Sequence, residues 1–161
     1  MLKITSSAIE AIYSHGKKTS SGECCGLVVP TSLDEILTKV VECENIQDKL
    51  HEKDPVRYPI TSESAYCLDR LGLMLIEDNS REEGYPGGIY HSHTNGRAYF
   101  SNEDKRKAMF NGIVLHPKAH YIVIGVKDGE ISDTKSFIWG TEQQDFIEEP
   151  IEIIEQYNNN L

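Results

Sequence analysis

Two histidines separated by a single residue, His91 and His93, are the side chains whose types and spacing point most directly to chemistry. They follow Gly87-Gly88-Ile89-Tyr90, an apolar run that is typical of a short strand. Side chains on a strand alternate between its two faces, so both imidazoles would project from the same face. The pair therefore predicts half of a metal site.

A third ligand is predicted beyond the loop that follows. Ser101 opens a segment, residues 101–110, that contains no glycine or proline and is predicted to be helical. Asp104 would lie in the first turn of this helix, with its carboxylate in a fixed position. Two imidazoles and one carboxylate leave one of the four tetrahedral positions of zinc to solvent, which is typical of catalytic rather than structural sites.

Hydrolysis at such a site also needs a proton acceptor. Glu23, at the edge of the apolar strand predicted over residues 24–29, is the candidate. Taken alone, Glu23 would be interpreted as a surface carboxylate. Ser101 and Asp104 also have a competing explanation, because a serine followed three residues later by an acid is a helix-capping pattern that needs no metal. Capping does not explain the two histidines.

Together these residues resemble the signature of the JAMM, or MPN-type, metallopeptidases: a glutamate on an early strand, His-Ser/Thr-His, seven residues, Ser, two residues, Asp. Glu23, His91-Ser92-His93, Ser101 and Asp104 match this pattern without a gap. The resemblance implies Zn²⁺ bound by His91, His93 and Asp104, Glu23 as the general base, and a Ser101 hydroxyl that binds the substrate carbonyl oxygen. Strand alternation directs Ser92 away from the ligands, so we expect it to support the site or the structure.

The resemblance also implies the fold class. It is α/β, a cytidine-deaminase-like or MPN-type sandwich in which helices pack on a curved mixed β-sheet. Residues 1–161 would form a single metallopeptidase domain.

Further segments, including Glu23-Cys24-Cys25-Gly26-Leu27 and Tyr90–Thr94, resemble the bacterial branch that acts on ubiquitin-like sulfur-carrier proteins. This implies hydrolysis of the amide bond after a C-terminal Gly-Gly, releasing cysteine as a step of cysteine biosynthesis. Thr94 and Phe100 stand where deubiquitinating members often carry proline, which argues against ubiquitin itself. The alternatives are a peptidase of the same fold acting on other protein tails and a metal-free scaffold.

Composition excludes several other classes. A net charge of -10 argues against nucleic-acid binding, which depends on neutralising phosphates with Lys and Arg. No apolar run approaches the roughly 20 residues that span a bilayer, and the N-terminus lacks the apolar core of a signal peptide, so we expect a cytoplasmic protein. The four cysteines show no Cys-x-x-Cys pairing and are expected to be reduced and buried. A homodimer is left open.

Hydrophobic periodicity and turn residues predict the elements that position these groups. Strands are expected at 2–4, 24–29, 36–43, 56–60, 119–126, 131–139 and 146–155, and helices from Ser7, over 62–78 and from Ser101. His15 is expected to be solvated at the end of the first helix, His120 to serve the core, and 51–55 to form a loop. Residues 79–84 would be a surface connection and 158–160 a frayed tail.

Overall fold

The computed structural model describes residues 1–19, 21–30, 35–81 and 87–155, with backbone alone for 78–81. The strands are β1 Leu2–Thr5, β2 Cys25–Pro30, β3 Leu37–Cys43, β4 Gly88–His93, β5 Met109–Phe110, β6 Ile113–Val114, β7 His120–Lys127, β8 Glu130–Gly140, β9 Asp145–Glu149 and β10 Ile151–Ile154. The helices are α1 Ser6–Lys18, α2 Gln47–Lys53, α3 Arg70–Arg81 and α4 Asn102–Lys107. None of these helices has both the length and the apolar character needed to span a bilayer.

Eight strands form one mixed sheet in the order β10-β1-β3-β2-β4-β7-β8-β9. The pairs β1–β10, β1–β3 and β4–β7 are parallel, and the other neighbours are antiparallel. β4, which carries both histidines, lies in the middle of this sheet, between β2 and β7. The predicted α/β class with a curved mixed sheet is confirmed.

The curvature of the sheet follows from its two edge strands. β9 and β10 lie at opposite edges but are separated in the chain by Pro150 alone, so the sheet bends until its edges nearly meet. The Leu2 N–H donates to the Pro150 carbonyl oxygen at 3.0 Å. The prediction of one strand over 146–155 is therefore wrong, because proline has no N–H for a ladder and marks the break between two strands.

Glu149 joins the elements that meet at this closure. Its carboxylate accepts a hydrogen bond from His120 Nδ1 and another, at 2.9 Å, from Ser136 Oγ, and it lies 3.1 Å from the α-amino group of Met1. Burial alone would raise the pKa of Glu149, but the hydrogen bond and charge of His120, with the bonds from the α-amino group and Ser136, hold it below its ordinary value. The prediction that His120 serves the interior is confirmed.

Two apolar clusters cover the two faces of the sheet. One packs Ile9 and Ile12 of α1 against Tyr90 of β4. The other includes Ile89 of β4, Tyr66 in the segment before α3, and Ile76 of α3. Alternation along β4 places His91 on the Ile89 face, where it is fully buried. The histidines therefore lie within the core that α3 and the segment before it cover.

The first helix differs from its prediction at both ends. Its N-cap is Thr5, whose Oγ1 accepts from the Ala8 N–H at 3.3 Å, rather than a cap at Ser7. The helix continues to Lys18, and His15 is buried with Nδ1 2.6 Å from Tyr90 Oη. The prediction of a solvated His15 is wrong, because α1 packs on the sheet along its last turn. Burial lowers the pKa of His15, and the charge of Glu42 acts in the opposite direction.

The stretch between β3 and α3 contains the largest errors of the sequence prediction. Residues 56–60 form no strand, and the side chain of Val56 is 90% exposed. Residues 51–53 are helical, as part of α2, and only Asp54 and Pro55 fit the predicted loop. α3 begins at Arg70 rather than Ser62.

Asn45 explains the late start of α3. Its amide donates to the Ala65 carbonyl at 3.1 Å and accepts from the Cys67 N–H at 3.0 Å, which holds residues 65–67 in a non-helical conformation. These contacts come from residues about 20 positions away in the chain.

The other sequence predictions concern the turn between β7 and β8, residues 79–84 and 158–160, and the cysteines. Asp128 and Gly129 have positive φ values of 52° and 74° in the turn between β7 and β8, which confirms the predicted hairpin. Residues 79–81 belong to α3, whereas 82–84 and 158–160 lie outside the described residues. All four cysteines are free, and all but Cys67 are buried.

Replacing Glu149 with Gln tests the closure. We expect Glu149→Gln to lower the free energy of unfolding by about 1–3 kcal/mol near pH 7, because a buried, hydrogen-bonded charge is lost. The folded-state pKa of Glu149 is depressed below its unfolded value of about 4.3. Its contribution is therefore present above that value and is lost as the pH falls through the folded-state pKa, so the two proteins should converge in acid.

Urea unfolding at a series of pH values measures this difference. Glu148→Gln is the matched control, because Glu148 is exposed and its ion pair with Lys135 lies on the surface. A Glu149→Gln protein as stable as the control at pH 7 would contradict the role of Glu149 in closing the sheet.

Candidate metal centre

The structure brings the three predicted ligands together. β4 presents His91 and His93 on one face, and α4 places Asp104 opposite them. The two Nε2 atoms lie 3.1 Å apart, His91 Nε2 lies 3.2 Å from Asp104 Oδ1, and His93 Nε2 lies 3.3 Å from Asp104 Oδ2. All three side chains are buried.

This donor set fits a metal ion. One ligand atom from each residue lies within 4.8 Å of the others, and no other group of this kind is found among the described residues. Ligand atoms about 2.0–2.1 Å from a tetrahedral zinc ion are separated from one another by about 3.3 Å. The contacts of 3.1–3.3 Å are close to that separation. A cation would compensate the negative charge of Asp104 and accept the lone pairs that these donor atoms direct at one another.

A backbone carbonyl orients His93. Its Nδ1 lies 3.1 Å from the Arg97 carbonyl oxygen, which can only accept a hydrogen bond. Nδ1 must therefore carry the proton, and the lone pair of Nε2 faces His91 and Asp104. This is the usual arrangement of a metal-bound histidine, whose other ring nitrogen donates to an oxygen.

An aromatic ring positions His91. Tyr66 stacks on the imidazole with ring centroids 4.4 Å apart and an interplanar angle of 20°. His91 Nδ1 is buried and has no hydrogen-bond partner within the described part of the chain. Packing, rather than a hydrogen bond, therefore fixes the plane of this ring.

Asp104 and Ser101 form a helix cap and part of the donor cluster at the same time. Ser101 Oγ accepts from the Asp104 N–H at 3.1 Å, and Asp104 Oδ2 accepts from the Ser101 N–H at 2.8 Å. The predicted capping pattern is therefore confirmed, and the same carboxylate also contacts both histidines. A hydroxyl that accepts one bond still has its own proton to donate, so Ser101 can cap α4 and bind a substrate oxygen together.

The surroundings of Asp104 favour its charged form. Burial opposes ionisation, but the charge of His91 and the hydrogen bonds from His91 and Ser101 hold the pKa of Asp104 well below its ordinary value. The carboxylate is therefore ionised over the whole neutral range, as a metal ligand must be.

Glu23 lies directly beside this cluster. Cys25 of β2 pairs with His91 of β4, and the Ser92 N–H donates to the Cys24 carbonyl at 3.0 Å, so the register continues to place Glu23 opposite His93. The Glu23 backbone is fixed on both sides. Its N–H donates to the Ser62 carbonyl at 2.7 Å, and Asn45 Nδ2 donates to its carbonyl at 2.9 Å.

The side chain of Glu23 is in an unusual state for a carboxyl group. It is 4% exposed, and its Oε2 has no hydrogen-bond partner among the described residues. Burial, together with the charge of Asp104, raises the pKa of Glu23 to about 9. A divalent cation held by the donor cluster would place positive charge next to Glu23 and favour its ionised form. The buried cluster and the raised pKa of Glu23 are therefore easier to explain with a bound metal than without one.

Three features of the site have no signal in the sequence. Tyr66 and Asn45 act through contacts with residues far away in the chain. The Arg97 carbonyl is only four residues from His93, but distant residues of β7 and β8 hold its loop. Ser92 behaves as expected, because its side chain points away from the ligands and its Oγ accepts from the Cys24 N–H at 2.8 Å. This hydrogen bond joins β4 to Cys24, the residue after Glu23.

The loop from Thr94 to Phe100 is held against β7 and β8. A Cβ on Gly125 would lie 2.3 Å from the backbone of Gly96, so only glycine permits this approach. Ser132 Oγ donates to the Gly96 carbonyl at 2.6 Å, and Asp133 Oδ2 accepts from the Ala98 N–H at 2.9 Å. These contacts fix the backbone on both sides of Arg97, whose carbonyl orients His93.

Comparison with known proteins agrees with this geometry. The family described as prokaryotic homologs of the JAB domain matches residues 5–139. The chain belongs to this JAB-domain family. The match covers every residue of the cluster, together with Glu23 and Ser101.

Similar proteins extend over nearly the whole chain. CysO-cysteine peptidases of Mycobacterium bovis and Mycobacterium tuberculosis are 25% identical to it, covering 98% of this chain and 94% of theirs. A solution structure from Desulfitobacterium hafniense has a TM-score of 0.68 at 22% identity, covering 99% and 97% of the two chains. One from Salinibacter ruber has a TM-score of 0.58 at 17% identity, covering 98% and 94%. The solved structures share the fold. The JAB-domain match, together with the relatives that are named as peptidases, supports a hydrolase that acts on peptide bonds.

The loop contacts of this JAB domain lead to a prediction about metal affinity. We expect Asp133→Ala to weaken zinc binding by about tenfold, because the backbone that orients His93 loses an anchor. Competition with a chromophoric chelator measures the affinity without reference to activity. Glu130→Ala is the control, since Glu130 is an exposed residue of the same strand. Equal zinc affinities in the two variants would contradict the role of Asp133.

Proposed function

We propose that this chain is a zinc-dependent peptidase that hydrolyses the amide bond after the C-terminal Gly-Gly of a ubiquitin-like sulfur-carrier protein and releases cysteine. The observation that carries the proposal is the buried cluster of His91, His93 and Asp104 beside Glu23, whose buried Oε2 has no hydrogen-bond partner in the described ranges. A set of two nitrogen ligands and one oxygen ligand suits zinc and leaves a coordination position for a reactant.

The proposed metal would be held by His91, His93 and Asp104. When bound, zinc polarises a carbonyl group and lowers the pKa of coordinated water from 15.7 to about 7. The other roles, which are to orient the ligands and to transfer the proton, are assigned to residues of the chain. The Arg97 carbonyl keeps the His93 Nε2 lone pair directed at the ion, and Tyr66 holds the plane of His91. The fixed ligands keep the reacting centre in one geometry.

Glu23 is proposed as the general base and then the general acid. Its carboxylate takes a proton from the attacking water, whose oxygen forms a bond to the scissile carbonyl carbon. As the carbon–nitrogen bond breaks, Glu23 returns that proton to the leaving amine. Burial keeps the basicity of Glu23 high, which suits proton transfer near neutral pH.

Ser101 is proposed to stabilise the substrate oxygen. Its Oγ accepts a hydrogen bond from the Asp104 N–H, so the hydroxyl proton is free to point towards the carbonyl oxygen of the scissile bond. A donor placed in this way is most effective when negative charge develops on that oxygen. The helix cap thereby holds the donor in position.

The substrate assignment combines two lines of support. The 25% identical relatives carry the name CysO-cysteine peptidase and align over 98% of this chain. The sequence segments around Glu23 and His91 resemble the sulfur-carrier branch of JAMM enzymes. We further propose that residues 1–161 act as one MPN-type domain with the cytidine-deaminase-like arrangement. A cytoplasmic location is also proposed, since four free cysteines suit a reducing compartment.

Replacing Glu23 with Gln tests this proposal. We expect Glu23→Gln to lower kcat by a factor of about 10²–10⁴ while zinc content stays unchanged, because the variant loses proton transfer and keeps all three ligands. The substrate is a sulfur carrier whose C-terminal glycine is amide-linked to cysteine. Released cysteine is quantified by mass spectrometry.

The control variant is Glu152→Gln, which removes an exposed carboxylate on β10, away from the cluster. It should match the wild type. Equal turnover by wild type and Glu23→Gln would contradict the assigned base. Cleavage of unrelated tagged peptides, but not of the carrier adduct, would instead indicate a JAMM peptidase with a different protein tail as its substrate.

A further inference from the structure

A second cavity lies next to the metal centre but separate from it. Its volume is about 390 Å³, within the range of small-molecule sites. None of the three metal ligands, Glu23 or Ser101 lines it. Tyr66 belongs to both sites, because it lines the cavity and stacks on His91.

The walls of this cavity are largely apolar. They are formed by side chains of α3, the residues before it, β4 and the segment after β6, including Leu68, Leu73, Ile76, Ile89 and Leu115. Leu73 and Leu115 are about half exposed, at 50% and 49%, so the apolar surface reaches the mouth. Such walls favour an alkyl or aryl group as the occupant.

Basic side chains also line the cavity, although the protein as a whole carries a net charge of -10. Arg106 is already paired, since its guanidinium donates to Glu103 at 2.6 and 2.9 Å. Lys107 and Arg57 differ, because no carboxylate in the described part of the chain lies within ion-pair distance of either.

The contacts of these two cations are with neutral groups. Lys107 Nζ donates to Gln47 Oε1 at 2.8 Å and to the Tyr66 carbonyl oxygen. Arg57 lies over the ring of Tyr58, 5.5 Å from its centroid. Burial lowers the pKa of Lys107, and the charges of Glu103 and Glu23, which lie beyond ion-pair distance, act in the opposite direction. An anion in the cavity would place a negative charge in direct contact with the ammonium group.

We propose that this cavity binds a small organic anion, with an alkyl or aryl body against the apolar wall and a single carboxylate that pairs with Lys107 and Arg57. The inference goes beyond the proposed peptidase activity and does not depend on it. Its basis is the combination of an apolar cavity with two lining cations, half-buried Lys107 and exposed Arg57, neither of which forms an ion pair with the residues that the structure describes.

Titration of the full-length, zinc-loaded chain with 4-phenylbutyrate tests the proposal, with backbone amide NMR shifts as the readout. We expect saturable shifts at residues of the cavity wall and none with 4-phenylbutylamine, which has the same body and the opposite charge. Lys107→Met should weaken binding by at least about tenfold and Arg57→Gln by about threefold, because charge-assisted hydrogen bonds are lost. Lys118→Met is the control, since Lys118 is exposed and does not line the cavity.

Leu73→Glu provides a second test if Lys107→Met does not fold. It adds a negative charge at the half-exposed mouth and should repel the anion by about tenfold in affinity. Equal binding of the amine, or full binding by both Lys107→Met and Leu73→Glu, would overturn the proposal. Shifts centred on His91, His93 and Ser101 would overturn it as well, because they would mean that the carboxylate binds at the metal centre.

Discussion

One carboxylate group, that of Asp104, connects the parts of this protein on which its chemistry depends. It contacts His91 and His93 on β4 and accepts the Ser101 N–H at the start of α4. A buried charge is stable only where other groups compensate it, and here the compensating groups are two histidines and a helix cap. The position of α4, the direction of the Ser101 hydroxyl and the spacing of the donor atoms therefore follow from a single constraint.

A second constraint is the burial of Glu23 beside Asp104. Burial raises the pKa of Glu23, and the charge of Asp104 adds to this effect, so ionisation of both carboxyl groups in this dry region is a conflict that a cation would relieve. The fold keeps Glu23 in this position, because the Ser62 carbonyl and the Asn45 amide fix its backbone. A bound metal would resolve the conflict and leave Glu23 as a base poised near neutral pH.

The sequence predicted the parts of the site that depend on local spacing. His91 and His93 share a face because strand residues alternate, and Asp104 lies in a first turn because Ser101 caps the helix. The same reasoning found β2, β3 and β7. It failed at residues 65–67, where hydrogen bonds from Asn45 override helix periodicity, and at Pro150, where one strand becomes two at opposite edges of the sheet. It also placed His15 in solvent, because nothing local to α1 reveals that its last turn packs near Tyr90. At residues 65–67 and His15 the deciding contact joins residues far apart in the chain, whereas at Pro150 the missing N–H of proline was a local signal.

The proposed chemistry requires that His91, His93 and Asp104 bind one zinc ion without the help of a cysteine. X-ray absorption spectroscopy at the zinc edge, on protein purified without chelator, tests this binding most directly. We expect one zinc per chain, nitrogen and oxygen ligands at about 2.0–2.2 Å, and the scattering pattern of two imidazoles. Sulfur ligands at about 2.3 Å, or the absence of stoichiometric zinc, would contradict it.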